Sequence, residues 1–224
     1  MKKNISIFLI TIGLIIALYP LYGRLFNMLE QKNLLQEWEK STINDSSLIK
    51  TPDIKKAQTN FIDLDKTFKN NQQTKTQAEN LGKNQPIKRL VLGILKIPKI
   101  NLKYAVLDNV TNSSLSVGLG WIPGTSKIGA VGNAGIAGHR SHTNSKFFNR
   151  LDELSQGDLI YFEDKTKKYT FEVYEKLIVT PTDVSVLKGN DKDVMTTLVT
   201  CHPLYISSHR LIIHAKLKAT EKVK

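Results

Sequence analysis

Thr197-Leu198-Val199-Thr200-Cys201-His202-Pro203 and, after a short loop, Arg210-Leu211-Ile212-Ile213-His214-Ala215-Lys216-Leu217 read as two strands of one sheet. Aliphatic and β-branched residues dominate both runs, and Pro203 stops the first, because proline cannot donate to a sheet ladder. A short connection makes the two strands antiparallel neighbours. Cys201, at the end of one, and Arg210, at the start of the other, therefore belong at the same end of the sheet. A thiol delivered to a strand's carboxyl end is placed for reaction more than for packing.

The same pattern extends upstream. Leu92-Gly93-Ile94-Leu95-Lys96-Ile97-Pro98 and Leu102-Lys103-Tyr104-Ala105-Val106-Leu107 form short apolar runs cut by turn residues. Leu159-Ile160-Tyr161-Phe162 follows a Gly157-Asp158 turn, and Tyr169, Phe171 and Val173 alternate with Thr170, Glu172 and Tyr174. Alternation with period two is the mark of a half-buried strand. Strand-like runs at this spacing, with few long helical patterns, predict a mainly β domain over residues 89–218, a closed or nearly closed barrel.

Residues 1–24 read differently. Lys2 and Lys3 precede an uncharged run from Asn4 to Gly23. At ~1.5 Å per residue such a run spans roughly 30 Å, the hydrocarbon thickness of a bilayer. Its exit, Leu18-Tyr19-Pro20-Leu21-Tyr22-Gly23-Arg24, lacks a small-x-small cleavage site. A transmembrane signal anchor is the expectation, with the basic end cytoplasmic and the barrel extracellular. Between anchor and barrel, residues 25–88 are expected to be a polar tether. It would hold a short amphipathic helix over Leu25 to Lys40 and a transient one around Phe61 to Phe68. Asn70-Asn71-Gln72-Gln73-Thr74-Lys75-Thr76-Gln77 has no apolar face to bury.

A net charge of +12 raises a nucleic-acid reading. No zinc-finger spacing, aromatic RNA-binding signature or basic heptad helix supports it, and lysines spread along the chain suit work beside anionic lipids or polymers. No nucleic acid is expected as a partner. One cysteine excludes an intrachain disulfide framework.

A thiol nucleophile needs a proton-exchanging partner, and histidine is the usual one. The candidates are His139, His142, His202, His209 and His214. His139 ends Ile136-Ala137-Gly138-His139, where glycine permits close backbone approach. His202 and His209 each precede or follow a site residue by one position and should face away from it. His214 lies mid-strand and reads as a solvated ring. Spacing favours His139 without excluding the others.

Gly138-His139, Thr197-Leu198-Val199-Thr200-Cys201 and Arg210, in that order, resemble the three signature elements of sortases, the cysteine transpeptidases of Gram-positive bacteria. The likeness runs from about Leu92 to Leu217. It includes Ile97-Pro98-Lys99-Ile100, Phe147-Phe148-Asn149-Arg150-Leu151 with Gly157-Asp158, and Pro181-Thr182-Asp183. The resemblance implies an eight-stranded β-barrel with short helices. In it Cys201 would attack a Leu-Pro-x-Thr-Gly-like sorting signal of a secreted protein, His139 would exchange protons, Arg210 would hold the substrate or the oxyanion, and Thr200 would line the substrate site. The acyl group would pass to an amine, expected to be that of a peptidoglycan precursor. No cofactor is implied. Some sortases bind calcium through loop carboxylates, and Asp152, Glu153, Glu163 and Asp164 do not decide that point.

The stretch from Cys201 to Arg210 resembles pilus-building sortases, which usually carry an Asp-Pro-aromatic lid and a second hydrophobic segment. The only related triplet in the tether is Thr51-Pro52-Asp53, and the chain ends Ala219-Thr220-Glu221-Lys222-Val223-Lys224. The expectation is thus an open site without a lid, with pilin polymerisation as the alternative function. L,D-transpeptidases favour Ser-x-Gly-Cys, and papain-like peptidases place the cysteine before the histidine. The non-enzyme alternative is an anchored extracellular barrel used for binding, with Cys201 structural.

Overall fold

The computed structural model describes residues 29, 32–36, 38–40, 52–73, 89–140 and 146–223. The apolar run from Asn4 to Gly23 and His142 lie outside the described residues. Among the described residues, no helix is long and apolar enough to cross a membrane. The chain divides into two units, Met1–Lys40 and Ser41–Lys224. In the first, residues 29, 32–36 and 38–40 are helical, within the stretch expected to form an amphipathic helix.

The second unit is built on eight strands: β1 (Val91–Ile97), β2 (Leu102–Leu107), β3 (Leu119–Trp121), β4 (Gly132–Ala137), β5 (Leu159–Glu163), β6 (Lys167–Val179), β7 (Val194–His202) and β8 (His209–Lys222). They close into a barrel in the order β1-β2-β3-β4-β7-β8-β6-β5, with β5 returning to β1. Closure leaves no strand edge unpaired around the ring. Two neighbouring pairs, β2/β3 and β4/β7, run parallel, and the others run antiparallel. Between β1 and β2 a 3₁₀ turn, Pro98–Ile100, begins on a proline and ends on Asn101 in the left-handed region (φ 51°).

Side-chain alternation sorts β7 into two faces. Leu198 joins the barrel interior with Leu95, Val106, Phe148, Ile160, Phe171 and Ile213. Val199 and Cys201 belong to a second cluster on the outer face, with Ala137 of β4 and Ile212 of β8. Both faces of β7 are buried, so something must cover the outer one.

The cover is an α-helix, α1 (Ile54–Gln73). Its stretch was expected to be a tether with at most a transient helix, and the structure instead docks 20 residues of helix on the barrel. Asp53 starts it, its carboxylate accepting from the backbone of Lys56 at 3.1 Å. Ala57, Phe61, Leu64 and Phe68, spaced four, three and four apart, form one apolar stripe and are almost fully buried in the outer cluster. Pro123 and Gly124 receive the helix's first turns. Asn60 donates to the Pro123 carbonyl at 2.7 Å, and the Asp53 amide donates to the Gly124 carbonyl at 2.9 Å. Gly124 has φ +97°, and a Cβ there would stand 2.5 Å from the Ala57 amide nitrogen. Only glycine allows this approach.

Candidate active site

Pairing registers place the site. Ala137 of β4 aligns with Val199 of β7, and Val199 with Ile212 of β8, making one row on the outer face. Two residues on from Ala137 and Val199 come His139 and Cys201, and two residues before Ile212, on the antiparallel strand, comes Arg210, the direct partner of Cys201. Period two returns Cys201 and Arg210 to the same face. His139, two residues beyond the end of β4, completes the row at the barrel's end, since Phe68 touches both its ring and the Arg210 guanidinium. The β4/β7 ladder runs out just before it, at the bond from the Gly138 amide to the Val199 carbonyl (3.1 Å).

The row is roofed by α1. Asp65 forms an ion pair with the Arg210 guanidinium, which is 1% exposed. The Phe68 ring meets the His139 ring edge-on, centroids 5.2 Å apart, and lies 5.3 Å from the Arg210 guanidinium carbon. Arg210 also donates to the carbonyls of Ser207 (3.0 Å) and His209 (2.8 Å), which fixes its fork. The expected open site is therefore covered in this structure by a helix whose acidic and aromatic side chains touch two of the three row residues.

Burial sets the protonation of the pair. Cys201 is 4% exposed. Desolvation pushes its thiol up and Asp65 adds to that, against the Arg210 guanidinium, the Ser207 side chain and Arg140, which pull it down. Desolvation lowers His139 to about 4. Under the helix, at neutral pH, the proton rests on sulfur and the imidazole is uncharged.

Thr200, expected against substrate, is fully buried, and its hydroxyl donates to the Gly138 carbonyl at 2.8 Å. It thus ties the residue before Cys201 to the residue before His139. Gly138 serves packing: a Cβ there would stand 2.6 Å from Leu119 and 2.8 Å from Phe148. His214, expected to be solvated, is buried. Its Nδ1 lies 2.8 Å from the Thr197 hydroxyl, and its ring stacks on Tyr174 at 5.8 Å. His209 is exposed beside Ser208. His202 holds Arg140, with its Nδ1 at 3.0 Å.

Of the four loop carboxylates, Asp152 pairs with Arg140, Glu153 with Arg150 and Glu163 with Lys96, and Asp164 accepts from Thr166 and Tyr169. Among the described residues, no group of three or more His, Cys, Asp or Glu side chains is gathered to hold a metal.

A cysteine opposite an arginine, next to a histidine, at the end of an eight-stranded barrel with two parallel pairings, agrees with the resemblance read from the motifs. The family model for the sortase domain matches residues 95–218. The chain belongs to the sortase family. Sortase A of Listeria monocytogenes is 25% identical over 224 residues, covering all of this chain and 94% of that protein. Sortase D of Bacillus subtilis is 27% identical over 220 residues, covering 96% of this chain and 98% of its own length. Among solved structures, sortase A from Corynebacterium diphtheriae, studied as a lid mutant, superposes with a TM-score of 0.57 at 28% identity, over 59% of this chain and 72% of that one. Sortases are cysteine transpeptidases, and this sortase has the family's mainly β, eight-stranded fold.

Asp65, Phe68 and Arg140 are the site-proximal residues that motif reading passed over. The first two carried a signal: Asp53 as a cap followed by apolar residues at helical spacing. Arg140 carried none beyond its place beside His139.

Proposed function

We propose that this sortase is a single-pass membrane protein with an extracellular catalytic barrel. It cleaves an LPxTG-like sorting signal in secreted proteins and transfers the acyl group to an amine of a cell-wall precursor. The observation that supports this most is the row His139–Cys201–Arg210 on one outer face. With the site uncovered, the Cys201 thiolate attacks the threonine carbonyl. Arg210 donates to the developing oxyanion, where a preorganised donor is worth roughly 2.7–4 kcal/mol. The amide C–N bond breaks, and the leaving glycine amine takes a proton from the His139 imidazolium. The acceptor amine then attacks the thioester, gives its proton to His139 and releases the thiolate. Thr200 supports the site by holding Gly138, and the chemistry draws on no cofactor.

A second reading, polymerisation through a pilin lysine, is favoured by one observation: α1 covers the site, as a lid would. α1 itself carries no Asp-Pro-aromatic triplet of the kind pilus-building sortases use, so the wall amine stays the first reading. The deciding experiment gives the purified protein a sorting-signal substrate with either a wall cross-bridge amine or a pilin-like lysine. Product with the wall amine and none with lysine supports the first reading, and a lysine-linked ladder supports the second. An anchored binding module, the non-enzyme reading, predicts no acyl-enzyme on Cys201 with either.

A further inference from the structure

The β4/β7 strand pairing stops short of His139 and Cys201. The β4/β7 ladder ends at the Gly138 amide, and the His139 carbonyl instead accepts from the Phe148 amide at 3.1 Å, within its own loop. Two side-chain links span the gap. Below the row, Thr200 donates to the Gly138 carbonyl. Above it, the Arg140 guanidinium lies 3.0 Å from the His202 Nδ1. The residues on both sides of His139 are thus joined to the residues on both sides of Cys201.

We propose that Arg140, fixed by Asp152 and bonded to His202, is a positioning residue that sets the separation of His139 and Cys201 for transpeptidation. The Arg140 side chain is 7% exposed, and its donors go to three places: the Asn149 carbonyl through Nε (3.3 Å), Asp152 through Nη2 (2.8 Å) and His202 through Nη1. A guanidinium has no acceptor, so His202 Nδ1 accepts and the ring proton sits on Nε2. Asp152 comes from the 3₁₀ turn Leu151–Glu153, so three chain segments meet on one planar fork. Lysine keeps the charge but cannot direct donors at both partners. Arg140 need not touch substrate for this role. A displacement of ~1 Å at a reacting pair costs on the order of 10²-fold in rate.

This inference rests on His139 and Cys201 being the reacting pair, and its test has one readout that needs no sorting peptide. Arg140→Lys, His202→Leu and His202→Asn are compared with the wild-type protein in peptide turnover, in thermal stability and in the pH profile of Cys201 alkylation by iodoacetamide. Asn restores an acceptor where Nδ1 stood, whereas Leu removes it. Expected are kcat values lowered ~10–100-fold in Arg140→Lys and His202→Leu with KM within about threefold, and recovery of most of the loss in His202→Asn. The alkylation profile of the wild-type protein should show two steps, one from the thiol and one from its coupled imidazole. It should collapse to one in His202→Leu and return in His202→Asn.

A His202→Leu protein with wild-type kcat and profile overturns the proposal while leaving the transpeptidase reading intact. So does a His202→Asn protein as impaired as His202→Leu, or a loss that follows thermal stability alone. If the wild-type protein alkylates in two steps but cleaves no sorting peptide, and His202→Leu still collapses the profile, the substrate reading fails and the positioning role stands.

Discussion

Replacing Asp65 with asparagine should open the site and raise activity. Asp65 is the one α1 carboxylate paired with Arg210, and the pair is half-sheltered, with side-chain exposures of 23% and 2%. A surface pair is worth ~0.2–1 kcal/mol, and removing one partner of a fully buried pair costs ~3–5 kcal/mol. Arg210 retains the Ser207 and His209 carbonyls, so it is not stranded. The loss should then resemble that of one hydrogen bond to a charged group, ~1.5–3 kcal/mol. At 1.4 kcal/mol per factor of ten, the docked-to-undocked ratio of α1 falls ~10–150-fold. Asparagine keeps the size and one acceptor, so the helix itself should survive.

Two assays read the shift: the rate at which iodoacetamide labels Cys201 at fixed pH, and turnover of a fluorogenic sorting peptide. Both should rise together in Asp65→Asn, and Phe68→Ala should raise labelling as well. Turnover at or below wild-type level in Asp65→Asn, with labelling also unchanged, would refute the idea that α1 closes the site.

Cys201→Ala should abolish cleavage and transfer while leaving the circular dichroism spectrum unchanged, and Arg210→Lys should remain strongly impaired because it loses the planar fork. Gly124→Ala should release α1 without unfolding the barrel, since the new Cβ strikes the Ala57 amide, and protease should then cleave near residues 54–73 first. Lowering the pH should also undock α1. His139 under the helix has its pKa depressed to about 4, so proton uptake below its ordinary value of 6.5 favours the uncovered state. Docking is fully stable above pH ~6.5 and loses up to about 3 kcal/mol between there and pH ~4, which hydrogen exchange along α1 would report. Protease added to intact protoplasts should remove the barrel, and a barrel protected until lysis would reverse the proposed topology.

What could be read in the sequence follows from how local its cause is. β1, β2, β5, β6, β7 and β8 announce themselves through alternation and β-branched runs that need no knowledge of their neighbours. β3 is three residues long, and β4 is Gly132-Asn133-Ala134-Gly135-Ile136-Ala137, small residues with weak strand preference held by a parallel partner far along the chain. The motif residues were visible because three short signatures coincide in order. The bond from the Thr200 hydroxyl to the Gly138 carbonyl was not, because a hydroxyl so bonded and one that faces substrate look alike in one dimension. His214 looked solvated for the same reason, since its cover comes from Thr197 and Tyr174 on the two neighbouring strands. The length of α1 and its docking on the barrel were masked by composition: one apolar residue per turn in a lysine- and asparagine-rich stretch suffices when the receiving surface is already apolar.

That helix joins access to activation. The forces that hold the proton on Cys201 are desolvation, to which α1 and the barrel's outer cluster both contribute, and the Asp65 carboxylate, which α1 supplies. The force that keeps His139 neutral is desolvation, to which the Phe68 ring contributes. When α1 leaves, water reaches both groups and Asp65 goes with it, while Arg210 and Arg140 stay on the barrel. The thiol pKa falls and the imidazole pKa rises, so the pair moves toward thiolate and imidazolium as substrate gains entry. Arg210, released from Asp65, regains a donor in the same step. A site covered in this way is shielded from stray alkylation by sterics, and desolvation holds its thiol protonated while the cover is in place.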